Sequence, residues 1–376
     1  MRYEGARISL RFPMTNPKSF FSTGYIEARE KFRAVATRRR CELSAHLHPH
    51  AKGPNGDDLF VDVATSGPAR AAAGLLLISG THGVEGYAGS ACQIGWLNTD
   101  SVETWPPELR VVMIHALNPY GFAWNRRVTE ENVDLNRNFV SHNAPYPAND
   151  GYEQLKTAIA PKDLEPETLR QGSELFRDFI KEYGPFTMQE AVSKGQYAHP
   201  DGMYFGGIRE QWSAGIVKHV VRRELAHCHR VGVIDFHTGL GPYGHGELIS
   251  EDATGTAAFE RAKTWWPDIC STQSGESVSA AVMGSIDSCL PGLLPRSDVT
   301  VGCLEFGTIS TFEVFLALRA DNWLHTRGNP QSPEAASIKA QIRGAFYPDQ
   351  DDWKDMIWKR GEAVMAQAVQ GLMART

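Results

Sequence analysis

Residues 74–86 read GLLLISGTHGVEG, and the fold is decided in this stretch. Leu75 to Ile78 are apolar without alternation, so both faces of the segment need cover, as in a central strand between two helical layers. The glycine-rich run Gly80 to Gly89 reads as a turn. A helix from Ser90 to Leu97 then leads into a second buried strand, Arg110 to Ala116, which ends at Asn118-Pro119. Strand, turn, helix, strand is the rhythm of an α/β protein. In an open α/β sheet, ligands gather beyond the carboxyl ends of the strands. His82 and Glu85, directly after Ser79, therefore stand where reactive groups are expected.

Outward from this segment, the spacing predicts a leading helix over Gly24 to Arg40 and extended segments over Cys41 to His46 and Asp58 to Thr65. Further core strands are predicted at Val231 to Phe236 and around Val301 to Phe306, with helices over Thr311 to Leu324 and Asp352 to Met373. Residues 140–205 are polar and carry Pro145, Pro147, Pro161 and Pro166 around one helical piece near Glu167 to Tyr183. We read them as an insertion that borders the active end of the sheet, within a single domain spanning 1–376.

Composition bounds the function. A chain of 376 residues with 42% hydrophobic content can bury a large core. No stretch approaches the roughly 20 apolar residues of a membrane span, and Met1 to Ser22 has no continuous apolar run of the kind a signal peptide carries. The expected address is the cytoplasm. A net charge of −6 excludes a broad positive field, and with it nucleic acid or an anionic membrane as the main partner. The run Arg38 to Arg40 closes a helical pattern, where cations suit the helix dipole. The six cysteines are far apart with no C-x-x-C pair, so they are read as free thiols.

His82 and Glu85 alone are weak evidence, because 13 histidines and 44 acidic residues in this length give one or two such pairs by chance. Placement adds the rest. His237 follows the strand VGVIDF as His82 follows LLLIS. Two histidines and a carboxylate at core strand ends match a catalytic zinc site, in which three protein ligands leave a fourth position open. Glu305 lies in VGCLEFGT among apolar neighbours, where a carboxylate is costly unless paired or placed for chemistry. Beside a zinc-activated water it can take the proton and return it to a leaving nitrogen. A third cluster, NPYGFAWNRRVTEENVDLNRNF from Asn118 to Phe139, brings Arg126, Arg127, Asn136 and Arg137. Planar guanidinium groups suit capture of a carboxylate or stabilisation of an oxyanion.

Two rival motifs fail on context. Gly239, Gly241 and Gly244 spell G-x-G-x-x-G after a strand, but Pro242 and Gly246 oppose the helix start that cradles a pyrophosphate. No G-x-S-x-G elbow of a serine hydrolase is present.

In order, the chain carries H-x-x-E, N-P-x-G, arginine with D-x-N-R-N, a strand-end histidine and a strand-end glutamate. This series resembles the zinc metallocarboxypeptidase superfamily. The fuller wording SGTHGVEGYAGS, DLNRNF, DFHTG and LEFGT is most similar to an uncharacterised bacterial branch of carboxypeptidase-like proteins, near the aspartoacylase and succinylglutamate desuccinylase group. The resemblance covers about Leu75 to Thr308. It implies a three-layer α/β/α fold with a mixed, mostly parallel central sheet, and one zinc ion per chain held by His82, Glu85 and His237. It implies Glu305 as general base and Asp134 as the partner of His82. It implies Asn136 and Arg137 as the grip on a substrate carboxylate, and Arg126 or Arg127 as the group that polarises the scissile carbonyl.

The implied function is a zinc-dependent hydrolase cleaving an amide beside a carboxylate in a small peptide or an N-acyl amino acid. Digestive-type carboxypeptidases continue with Ser-Tyr after the last ligand, whereas Thr238-Gly239 follows here, as in the deacylase group. Carboxypeptidase and N-acyl amino acid deacylase therefore both stand as readings, with a catalytically inactive metal- or peptide-binding protein as the third. Tyr197, Tyr204 and Tyr243 are the candidates for a substrate-capping tyrosine.

Overall fold

The computed structural model describes residues 16–99, 105–275 and 277–374. Most of the amino-terminal stretch read for a leader, residues 1–15, lies outside the described residues. In chain order the elements are α1 (Tyr25–Arg38), β1 (Glu42–Lys52), β2 (Asp58–Ser66), β3 (Ala73–Ser79), α2 (Gly86–Asn98), β4 (Leu109–His115) and α3 (Pro119–Ala123). Next come α4 (Asp150–Ile159), α5 (Pro166–Tyr183), α6 (Pro185–Ser193), α7 (Trp212–Leu225), β5 (Arg230–Thr238), β6 (Gly246–Ser250), α8 (Ala257–Trp265) and β7 (Cys270–Ser271). The chain closes with α9 (Ile286–Leu293), β8 (Asp298–Phe306), α10 (Thr311–Thr326), α11 (Ala335–Phe346) and α12 (Asp351–Met373).

The strands form one sheet in the order β1-β2-β4-β3-β5-β8-β6-β7. Its centre, β4-β3-β5-β8, is parallel, while β1-β2, β2-β4 and β6-β8 pair antiparallel. The sheet is thus mixed and mostly parallel, with helices on both faces. Alternate residues of one strand serve opposite layers. Leu75 and Leu77 pack with α1, α2, α8 and α12, whereas Leu76 and Ile78 pack with α7 and α9. That is why the unbroken run LLLI is fully buried. A third apolar cluster joins α4, α5 and α6 to α10 and α11 over the carboxyl ends of the central strands. Among the described residues, no helix is long and apolar enough to cross a membrane.

Several elements depart from the sequence expectations. α2 begins at Gly86, not at Ser90, because its glycines are demanded by packing: a Cβ at Gly89 would sit 2.7 Å from the Ser79 Cβ and 2.9 Å from that of Phe236. Residues 140–205 hold three helices rather than one. Asn149 caps α4 by accepting from the Tyr152 backbone N–H, and Pro166 and Pro185 open α5 and α6, where the missing N–H is no loss. Those prolines mark helix starts, not loop. The glycine run Gly239 to Gly244 leads into strand β6 and not into a helix.

Candidate metal centre

The carboxyl ends of β3, β5 and β8 lie side by side, and the register sets His237 of β5 directly across from Glu305 of β8. After β3 the chain reverses through Gly80, in the left-handed region at φ 72°, and enters a tight helical turn over Gly83–Glu85. Gly83 is required there, since a Cβ would fall 2.0 Å from the Gly121 carbonyl carbon at the start of α3. Main-chain bonds from Gly83 N–H to Arg127 O (3.1 Å) and from Val84 N–H to Arg126 O (2.8 Å) lace this turn to the two arginines.

His82, Glu85 and His237 converge in consequence. His82 Nδ1 is 2.9 Å from Glu85 Oε1, His237 Nδ1 is 2.9 Å from Glu85 Oε2, and the two Nδ1 atoms are 3.2 Å apart. All three residues are buried. Each ring presents Nδ1 to the common point and engages a carboxylate through Nε2: Asp134 Oδ1 at 3.0 Å behind His82, and Asp235 Oδ2 at 2.9 Å behind His237. Asp235 also accepts from the Thr81 hydroxyl at 2.9 Å. A carboxylate on the far nitrogen fixes the tautomer and strengthens the imidazole as a ligand.

Burial alone would raise the Glu85 carboxyl, but His82, His237 and Arg127 outweigh it and hold it well below its usual range. Burial also disfavours charge on His237, yet Asp235 and Glu85 raise its pKa well above the ordinary histidine value. An anionic carboxylate and two imidazoles meeting at separations of 2.9–3.2 Å fit a zinc ion, whose tetrahedral ligands stand about 3.3 Å apart.

Glu305 stands beside this group in the wall of a cavity of about 520 Å³. Its Oε1 accepts from Leu240 N–H at 3.1 Å. Burial, and then the neighbouring Glu85 charge, push its carboxyl up to about 8. The loop carrying Leu240 is fastened to the end of β8 by three main-chain bonds: Gly239 N–H to Phe306 O (2.9 Å), Gly244 N–H to Gly307 O (2.9 Å) and Gly307 N–H to His245 O (2.8 Å).

The structure separates the two adjacent arginines. Arg127 lines the cavity, donating Nε to Asp134 Oδ2 (3.0 Å) and Nη1 to Glu85 Oε1 (2.8 Å). Arg126 is buried outside that lining, donating Nε to Asp321 Oδ2 (3.1 Å) and Nη2 to Asn132 Oδ1 (2.9 Å). Asn136 and Arg137 both line the cavity. Arg137 donates Nε and Nη2 to Ser193 O and Nη1 to Asn136 O, all of them neutral acceptors.

Of the three tyrosines, Tyr204 lines the cavity, with Arg127 and Arg137 each 5.8 Å from its ring. It holds a left-handed backbone at φ 55°, a conformation that non-glycine residues adopt at some cost. Tyr197 instead donates to Arg137 O at 2.7 Å, and Tyr243 to Asp352 at 3.1 Å. Asp235 was missed in the sequence reading. A charged residue two positions before a strand-end histidine shares that histidine's face, and this was the available signal.

These observations define an α/β/α protein with a buried His-Glu-His group at the carboxyl end of its sheet. The chain belongs to DUF2817, a family described as proteins of unknown function, whose model matches residues 21–360. No curated protein matches it. Among solved structures it is similar to thrombin activatable fibrinolysis inhibitor, at 12% identity and TM-score 0.47 over 89% of this chain and 76% of the other. It is also similar to carboxypeptidase A from Helicoverpa armigera, at 11% identity and TM-score 0.42 over 86% and 73%. A third is an aspartoacylase family protein from Mesorhizobium loti, at 13% identity and TM-score 0.37 over 76% and 67%.

Proposed function

We propose that the protein is a zinc-dependent hydrolase that cleaves an amide beside a carboxylate, either as a carboxypeptidase or as an N-acyl amino acid deacylase. The observation that carries the reading is the meeting of His82 Nδ1, His237 Nδ1 and the Glu85 carboxylate beside Glu305 on one cavity. A zinc ion held by the three ligands would supply Lewis acidity, polarising a carbonyl and lowering the pKa of an attacking water.

The chain's own residues do the rest. Asp134 and Asp235 orient the imidazoles. Glu305 accepts the proton of the attacking water and delivers it to the leaving nitrogen. Arg127 faces the developing oxyanion. Asn136 and Arg137 take the substrate carboxylate: the Arg137 guanidinium is buried and makes no ion pair among the described residues, so an arriving anion meets a cation with no bonded counter-charge. The apolar wall of Phe176, Ile180, Met188, Phe312 and Phe315 suits the remainder of the substrate. Residues 140–205, working as part of one unit with the rest of 1–376, shape this wall from α5 and α6.

The test is metal analysis of the purified protein together with a hydrolysis screen of peptides and N-acyl amino acids against their C-terminal amides. We expect about one zinc per chain, and an acid preferred over its amide by roughly 100-fold. Arg137→Ala should remove that preference. Hydrolysis of acid and amide at equal rates by the wild type would show Arg137 to be structural.

A further inference from the structure

The cavity holds two carboxylates that the reaction does not use. Glu251, just past β6, and Asp287, in the first turn of α9, both line it. Asp287 is half-buried in the wall, yet among the described residues its carboxylate makes neither a hydrogen bond nor an ion pair. Among the described residues the Glu251 carboxylate has one hydrogen-bond partner, the Ser285 hydroxyl, which donates to Oε2 at 2.6 Å. Arg137 lowers the Glu251 carboxyl and His237 that of Asp287, without an ion pair to either among the described residues. Burial, followed for Asp287 by the Glu251 charge itself, raises both carboxyls above their ordinary values. Enclosed carboxylates without a bonded counter-charge are costly, and a cation delivered between them offsets that cost.

The recess is built next to the carboxylate grip. Ile286 N–H donates to Asn136 Oδ1 at 2.9 Å, and Phe139 N–H donates to Gly284 O at 3.0 Å. Gly284 lies so close to the Arg137 backbone that a Cβ there would be 2.7 Å from Arg137 O. The segment that carries Asp287 is thus fixed against the segment that carries Asn136 and Arg137. One side of the cavity offers an unpaired guanidinium, and the adjoining recess offers unpaired carboxylates.

We propose that Glu251 and Asp287 receive a cationic side chain, an amine or a guanidinium, borne by the same residue whose carboxylate meets Arg137. The leaving portion of the substrate is then a basic amino acid. This assignment rests on the hydrolase reading above for its catalytic meaning, but the binding it describes can be measured without turnover.

Calorimetry with the zinc-loaded full chain should find L-lysine bound at least about 10-fold more tightly than L-norleucine, which has the same carbon chain without the terminal amine. In Asp287→Asn and in Glu251→Gln that ratio should fall toward one, with melting temperature and zinc content reporting that each variant is folded. In parallel, kcat/KM for one acyl group joined to lysine, norleucine or glutamate should follow the order lysine, norleucine, glutamate. Hydrolysis of all three without preference would overturn the proposal and leave the hydrolase reading intact. Absence of hydrolysis with the lysine-to-norleucine binding ratio preserved would overturn the hydrolase reading and leave the recess. Lysine bound no more tightly than norleucine by the wild type sinks the proposal whatever the kinetics.

Discussion

Arg126 and Arg127 are neighbours in the chain, and they belong to two buried charge clusters with different fates. Arg127 joins Glu85 and Asp134 at the rim of the cavity, where the Nδ1 atoms of His82 and His237 converge on the Glu85 carboxylate. Arg126 joins Asp321, Asn132 and Lys339 in a closed cluster in which each charge meets its opposite. Burial of charge is common to both, so burial does not define a site. What distinguishes the first cluster is convergence on open volume, and the second serves to fasten α10 and α11 to the Arg126 segment.

The sharpest way to break this contrast is Glu305→Gln, which keeps the shape of the side chain but cannot accept a proton. We expect zinc and fold to be retained and turnover to fall by about 100- to 10,000-fold, measured on any substrate found in the hydrolysis screen. Near wild-type activity would remove Glu305 from the role of base.

Next in size is Asp321→Asn in the closed cluster, which leaves Arg126 and Lys339 buried without their anion. Removing one partner of a buried pair destabilises by about 3–5 kcal/mol, to be read by chemical denaturation, while zinc affinity should be unchanged. A loss of zinc in this variant would merge the two clusters into one functional unit.

Asp235→Asn makes the opposite exchange. The amide keeps a contact to His237 but weakens the ring as a ligand, so zinc affinity should fall about 10- to 100-fold in a chelator competition, with little change in melting temperature of the zinc-free chain. Asp134→Asn should do the same through His82, and unchanged affinity in both would mean that the carboxylates do not tune the ligands.

The smallest effect concerns pH. Burial pushes the Lys339 amine down to about 8, against the pull of Asp321. The charged form is therefore less favourable in the native state than in the unfolded chain, whose lysines titrate near 10.4. Between these values the unfolded chain binds the additional proton, so this lysine's contribution to stability rises as pH climbs from about 8 toward 10. Relative to Lys339→Met, the wild type should gain about 1–2 kcal/mol between pH 8 and pH 9.5, read by denaturation at both values. A constant difference would show that Lys339 is no more strained than an exposed lysine.

The central strands were legible because each carries enough apolar side chains to report its burial locally, and the residues at their ends could be found by position. His82, Glu85, His237 and Glu305 were readable for that reason, and the structure brings all four together. The choice between Arg126 and Arg127 was not readable, since adjacent residues share every local signal and differ only in what packs against them. Glu251 and Asp287 were hidden for another reason. Glu251 lies just past β6 and Asp287 on α9, short elements, and the segment of Asp287 is positioned by contacts with Asn136 and Phe139 more than a hundred residues earlier.

The fastening of the Gly239–His245 loop to the end of β8 has a consequence for how this protein can vary. Glu305 is aimed by a backbone N–H, that of Leu240, so the side chains at 240, 242 and 243 are less constrained than the loop's length and path, which Gly239, Gly241 and Gly244 hold in the left-handed region. Gly307 enforces this, because any Cβ there would fall 1.9 Å from Pro242 O and drive the loop off the strand. A library that randomises side chains at 240, 242 and 243 should return many working members, whereas one that inserts a single residue between 239 and 245, or replaces Gly307 with alanine, should return almost none.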